Sequence, residues 1–264
     1  MVLGAIAAVS TVPLMAQEKE MDEAASLAMK LANPIASLIS VPFQYNFDHN
    51  LGPDDKGSKS LLNIQPVIPI SLGEDWNVIS RTIVPLVDMQ DMPYGDQSGM
   101  GDVLQSLFFS PKKPTANGII WGVGPALLFP TATDDVLGGE KWGAGPTAVA
   151  LKQTGPWTFG VLANHIWSYA GERDREDINA SFVQPFTAYI FKKTKTTLSM
   201  NTETTYDWDA DTWSVPVNLT VAQMLKIKGQ ILQVVVGPRY WAESPDGGPE
   251  GFGLRAGLTM LFPK

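Results

Sequence analysis

From Ser37 to Phe262 the sequence repeats one device twelve times: ten to fifteen residues in which apolar positions alternate with small or polar ones, then a short stretch that holds the charge. The repeats predict strands over roughly 37–47, 60–72, 76–87, 101–110, 118–130, 142–151, 157–168, 178–191, 196–206, 213–224, 230–241 and 251–262. Within them the only charges are Arg81, Asp102, Glu203, Arg239 and Arg255. A period of two is the period of a strand, whose successive side chains point to opposite faces. Strands this numerous, each apolar on one face only, fit a wall with lipid outside and water inside. The expected fold is all-β: a single closed antiparallel transmembrane β-barrel of about twelve strands, preceded by a short N-terminal helix.

The connections sort into two classes. Every second one is long and acidic; together 48–59, 88–100, 131–141, 170–177, 207–212 and 242–250 carry 19 acids against five basic residues, a net of −14. The others, 73–75, 111–117, 152–156, 192–195, 225–229 and 263–264, are short and hold two acids against nine lysines, a net of +7. Long loops on one rim and tight turns on the other are the layout of a bacterial outer-membrane barrel, with both termini in the periplasm. The overall charge of −8 and the lack of a basic patch outside the short turns argue against nucleic-acid binding.

Alternation assigns faces. Ile39, Val41, Phe43, Tyr45 and Phe47 should face lipid, with Ser40, Gln44 and Asn46 inside. Leu62, Ile64, Ile68, Ile70 and Leu72 should face out against Asn63, Gln65 and Ser71. Strand nine turns Ser199, Asn201, Glu203 and Thr205 inward, and strand twelve turns Phe252, Leu254, Ala256, Leu258, Met260 and Phe262 outward. Trp76, Trp142, Trp157, Trp213, Trp241, Tyr94 and Tyr240 fall at strand ends, where interfacial aromatic girdles belong. Against this pattern stand nine prolines inside the expected strands: Pro42, Pro66, Pro69, Pro85, Pro125, Pro146, Pro185, Pro216 and Pro238. A closed barrel has no edge on which to place them, so bulges or strand ends are expected there.

Ahead of the barrel, residues 1–16 read as the apolar core of a secretory signal with a cut near Ala16-Gln17, although no Lys or Arg precedes it. Residues 17–34 read as a short periplasmic helix, with Met21, Ala24, Ala25, Leu27, Ala28 and Leu31 on one face and Asn33-Pro34 as its stop. Residues 35–264 form the barrel, a single domain. Absence of cysteine excludes disulfides and thiolate metal sites.

Several pieces of the chain resemble the bacterial outer-membrane barrel family named after the meta-pathway of phenol degradation, whose members are often labelled candidate transporters. They are Leu31-Ala32-Asn33-Pro34, Ser40-Val41-Pro42-Phe43-Gln44, Asn63-Ile64-Gln65-Pro66-Val67-Ile68-Pro69, Asp75-Trp76-Asn77-Val78-Ile79-Ser80-Arg81-Thr82, Gly101-Asp102-Val103, Gly122-Val123-Gly124-Pro125, Gln184-Pro185-Phe186 and Leu261-Phe262-Pro263-Lys264. The resemblance spans almost the whole mature chain. It implies an outer-membrane location and passage of small molecules, hydrophobic ones included. It brings no catalytic residues and no cofactor. The lysine-rich turn 192–195 departs from it, since a Gly-Trp pair is expected there.

Function should lie with the five strand charges, because an Arg facing lipid at mid-membrane costs about 2–4 kcal/mol and each should therefore face the lumen. Arg81, Arg239 and Arg255 against Asp102 and Glu203 can form a selecting constriction or a closed ion-pair network. Twelve strands leave little free lumen once side chains fill it, so a wide pore is not expected. The rival reading is a non-conducting scaffold or surface-binding barrel. A lumen filled by paired side chains or by residues 18–34 would favour that rival. Asn164-His165 and Ser168 bear only a superficial likeness to a Ser-His enzyme site, and no enzyme activity is expected; His165 should sit in the upper girdle beside Trp167. His49 and His165 are too far apart in sequence to suggest a transition-metal site. Expected partners are outer-membrane lipid and lipopolysaccharide, an undefined small solute, and the barrel-assembly machinery through the last strand, which ends at Phe262.

Overall fold

The structure, a computed structural model, describes residues 14–263. The expected leader therefore lies largely outside the described residues, and helix α1, Leu14–Leu31, begins within its last positions. Twelve strands follow: β1 Ile39–Leu51, β2 in two pieces Gly57–Ile64 and Val67–Leu72, β3 Trp76–Gln90, and β4 in two pieces Gln97–Met100 and Val103–Pro111. Then come β5 Ile119–Phe129, β6 Lys141–Thr154, β7 Trp157–Gly171, β8 Asn179–Phe191 and β9, again in two pieces, Thr196–Thr202 and Thr204–Asp207. The last three are β10 Thr212–Ile227, β11 Gln230–Glu243 and β12 Gly251–Phe262. Each strand pairs antiparallel with its sequence neighbours, and β12 closes on β1 from Ile39–Phe262 to Phe47–Leu254. The barrel is closed and has no edge. Among the described residues no helix is long and apolar enough to cross a membrane.

Alternation is obeyed around the wall. Ile68, Ile70, Leu72, Leu198, Met200, Phe252, Leu254, Leu258 and Phe262 are exposed on the outer face, while Ser40, Asn46, Gln65, Thr197 and Thr259 are buried inside. Short turns join the strands at one rim; Ile227 pairs with Gln230, and the two residues between, Lys228 and Gly229, both take positive φ (51° and 89°). Two successive positive φ values match the twist of a two-residue hairpin, which explains the glycine.

The prolines explain where the ladder is interrupted. Proline has no N–H to give, and in a closed wall the facing strand cannot simply be absent, so pairing is suspended opposite it. The gap in β2 after Ile64 faces Pro42 of β1, whose carbonyl accepts from Gln65 N at 2.8 Å before pairing resumes at Ser40–Val67. The gap in β4 at 101–102 faces Pro85 of β3, whose carbonyl accepts from Gly101 N at 2.9 Å. The gap in β9 at Glu203 lies between Pro185 of β8 and Pro216 of β10, and Glu203 N donates to the Pro216 carbonyl at 3.1 Å. Pro125 and Pro146 face one another, and on the far side of each the pairing skips two positions. At Pro238 the β10–β11 ladder jumps from Asn218–Arg239 to Val221–Val236.

Inside the barrel, α1 occupies the mouth at the short-turn rim. Ala25, Leu27 and Ala28 pack against Ile190 of β8, Met224 of β10 and Leu261 of β12, and Ile231 of β11 flanks them. From the other side, Gln153 of β6 donates to the Met29 carbonyl at 2.8 Å. Contacts from β6 round to β12 place the helix across the mouth. The chain then crosses the interior: Ile35 joins Ile79, Phe108, Val149, Leu151 and Leu162 in an apolar cluster, and Ser37 accepts from Asn77 of β3 at 2.9 Å. The interior thus holds one apolar cluster under α1, another around Ile35 against β3, β4, β6 and β7, and a row of buried polar and charged side chains along β9–β12 and β1.

Candidate functional site

The gap at Glu203 takes this residue out of the ladder and frees its carboxylate to reach across the wall. Arg255 of β12 grips it with both terminal nitrogens, Nη1 to Oε1 at 2.9 Å and Nη2 to Oε2 at 2.6 Å, while Arg239 Nη1 of β11 donates to Oε2 at 3.0 Å. Arg239 Nε donates to Asp48 Oδ1 of β1 at 3.0 Å, and Arg255 Nε to Asn46 Oδ1 at 2.8 Å. Asn218 of β10 accepts from Arg239 and donates to Asn201 of β9. The arginines are 5% and 4% exposed, and Asp48 3%. Two guanidinium ions and two carboxylates balance within the hydrogen-bonded cluster, and Lys59 of β2, paired across from Asp48, adds a third cation beside it. The cluster spans five consecutive strands, β9 to β1, and every charge in it is hydrogen-bonded, as burial demands.

Asp48 was not among the five expected charges, because the sequence places it at the start of a loop. β1 continues to Leu51 and carries Asp48 inward, two positions after Asn46. Trp241 also departs from expectation. The parity of β11 turns it inward with Arg239; its indole N–H donates to Asp48 Oδ1 at 2.7 Å, and the Arg239 guanidinium lies 4.8 Å over its ring. It is part of the cluster, not of a lipid-facing girdle. Trp76, Trp142, Trp157, Trp213, Tyr94 and Tyr240 are exposed.

Arg81 projects from β3, half-way round the barrel from β9, and donates through Nη2 to Gln65 Oε1 at 2.8 Å. Among the described residues it makes no ion pair. Between Arg81, the cluster and the end of α1 lies a chamber of about 250 Å³, lined by Lys30, Asn33, Leu38, Gln184, Phe186, Ser199, Asn201 and Gln233 among others. Its floor is the end of α1, and of the residues bonded into the cluster only Asn201 lines it.

Asp102 belongs elsewhere. It does not meet the arginines: Oδ1 accepts from the amides of Thr131 and Ala132 at 3.0 and 3.1 Å, and Oδ2 from that of Gly139 at 2.7 Å. It staples the loop between β5 and β6 to the wall. Asp102→Ala would leave three amides without their acceptor, and the expected result is faster protease cleavage within 131–140 with the barrel itself still folded.

That loop is tied in turn to the one between β7 and β8. Arg175 pairs with Glu140 at 3.2 Å and donates to the Asp135 and Gly138 carbonyls, and Lys141 pairs with Asp177 at 3.0 Å. The hydrogen bond from Lys141, and a second from Ser168, hold the Asp177 carboxyl below its usual value of 3.8. A depressed folded value stabilises the tie above the ordinary pKa and loses it as pH falls through the folded value. Cleavage within 172–176 by an acid protease should therefore rise as pH falls below the ordinary carboxylate range, and Asp177→Asn should show raised tryptic cleavage at Arg173 and Arg175 already at neutral pH.

His165 lies on the outer face beside Trp167, ring centroids 3.9 Å apart. Its Nδ1 is 2.7 Å from Ser181 Oγ, which also accepts from Trp208 Nε1 at 2.9 Å. Ser168 faces the other way and donates to Asp177.

No family model matches the chain, and no curated protein does. Among solved structures it is similar to an outer membrane channel from Pseudomonas putida F1, with a TM-score of 0.66 over 85% of this chain and 94% of that one, at 17% identity. The two proteins share a fold. A second likeness, to the β domain of the Bordetella autotransporter BrkA, covers 86% of this chain at 10% identity with a TM-score of 0.47, too slight to build on. The likeness is one of barrel architecture, and what this chain does depends on its own lumen.

Proposed function

We propose that this protein is an outer-membrane channel that passes small molecules, hydrophobic ones included, along a narrow path past Arg81 and the Glu203–Arg239–Arg255–Asp48 cluster. The observation that carries this reading is the chamber between plug and cluster, where a barrel filled only for rigidity would be packed. Its walls are polar on one side and apolar on the other, through Phe186 and Leu38, which suits solutes with both characters. The fold shared with an outer membrane channel supports the location, and the long acidic loops opposite short basic turns support acidic loops outside and α1 at the periplasmic rim. Kinship with the phenol meta-pathway family rests on the sequence motifs that run from Leu31-Ala32-Asn33-Pro34 to the C-terminal Leu261-Phe262-Pro263-Lys264. The role of the cluster is to fix the lumen's width and hold its charge balanced. No reacting group is assigned; the His165–Ser181 contact is read as a girdle hydrogen bond.

One observation favours a second reading, a non-conducting envelope barrel: α1 fills the mouth and the cluster charges are paired. Purified protein in liposomes decides between them. Swelling in isotonic solutions of small neutral solutes, and its loss above a sharp size limit, is the channel's expected behaviour. Heat-modifiable protein that gives no swelling would leave the scaffold.

A further inference from the structure

The chamber is electrostatically one-sided. Two cations, Arg81 and Lys30, line it, and no carboxylate does. The nearest carboxylate, Glu203 of the neighbouring cluster, attracts Arg81 from a distance, but it is already held by two arginines and forms no ion pair with either chamber cation. This occurs in a chain with a net charge of −8, whose acids otherwise collect in the outer loops. Arg81 gives one of its five N–H donors to Gln65 and has no anionic partner among the described residues, though it is half-buried in the wall. A guanidinium in such a place is matched by a planar, bidentate acceptor, and a carboxylate has that geometry. Beside it the chamber offers Phe186 and Leu38 as an apolar bed, and Gln184, Ser199 and Gln233 as further polar groups. The last helical turn of α1 also ends here, which would disfavour an anion. Two of its carbonyls are taken up, Ala28 by the Ala32 amide and Lys30 by that of Asn33, and Lys30 itself sits at this end.

We infer that the chamber is a binding site for a small organic carboxylate, its charged end on Arg81 with Lys30 adding field and its apolar body against Phe186 and Leu38. The inference deepens the channel reading and takes its biological sense from it: the carboxylate is the class of solute that pauses in the path.

Benzoate is the probe, with benzamide as its uncharged counterpart. Binding is measured by calorimetry on the full detergent-purified chain, and conductance on the same preparation in a planar bilayer. Saturable benzoate binding is expected, about tenfold or more tighter than that of benzamide, and reduced by a similar factor in Arg81→Gln. Lys30→Gln, a change outside the wall that leaves folding untouched, should weaken benzoate by a smaller factor and leave benzamide alone. Retained heat-modifiable migration establishes that Arg81→Gln is folded. Equal binding of benzoate and benzamide, unchanged affinity in both variants, or no binding of benzoate would each overturn the inference. Conductance without benzoate binding sinks the site and spares the channel; binding without conductance does the reverse.

Discussion

Glu203→Gln should be among the most damaging single substitutions in the wall. It removes one carboxylate from a buried cluster and leaves Arg255 with no carboxylate and Arg239 with Asp48 alone. Breaking a buried pair from one side costs about 3–5 kcal/mol, because the surviving charge stays desolvated. The temperature at which the compact band on an unboiled gel converts to the extended one should fall markedly. The double change Glu203→Leu with Arg255→Met should recover much of that loss, since replacing both partners by apolar groups removes the unpaired charge as well. A double variant as unstable as the single one would mean that Glu203 matters through the shape of the β9 gap and not through its charge. In bilayers the single variant, its cluster one charge more positive, should shift the reversal potential toward anions.

Removing residues 18–31 should produce the other large effect. The helix lies across the mouth, held by Ala25, Leu27 and Ala28 against Ile190, Met224 and Leu261. The wall closes without it, strand to strand, from β1 to β12. Conductance should rise several-fold while heat-modifiable migration persists at a somewhat lower temperature, because three apolar wall residues would then face water. An unchanged conductance would mean that the plug does not limit the path. A smaller version of the same result is expected from Leu27→Glu, which buries a charge in the packed face of the helix.

Much of this was legible in the sequence, because a wall one residue thick writes its two solvents into every second position. Strand number, facing and the inward position of Arg81, Glu203, Arg239 and Arg255 follow from that alternation alone. So did the conflict over prolines, which resolved as gaps at Gln65, Gly101 and Glu203, each beside a proline on the neighbouring strand. What alternation could not give is how far a strand continues past the membrane. β1 runs four residues beyond the expected end at 47, and those residues include Asp48. Nor could it give partners, because stagger between strands decides whether Asp102 meets an arginine or a loop amide, and local spacing carries no trace of stagger. Trp241 read as interfacial for the same reason: tryptophan near a strand end is usually at the lipid surface, and only its parity with Arg239 turns it inward. The helix pattern of residues 18–31 was visible, but its apolar face is equally suited to a rim or an interior. Long-range packing chose the interior.

The most direct test of the central proposal is single-channel recording from the purified, heat-modifiable protein, with and without residues 18–31. Discrete conductance steps that grow when the helix is removed are the predicted result. A silent bilayer from both forms, each verified as folded by its gel mobility, would contradict a channel and leave a closed structural barrel.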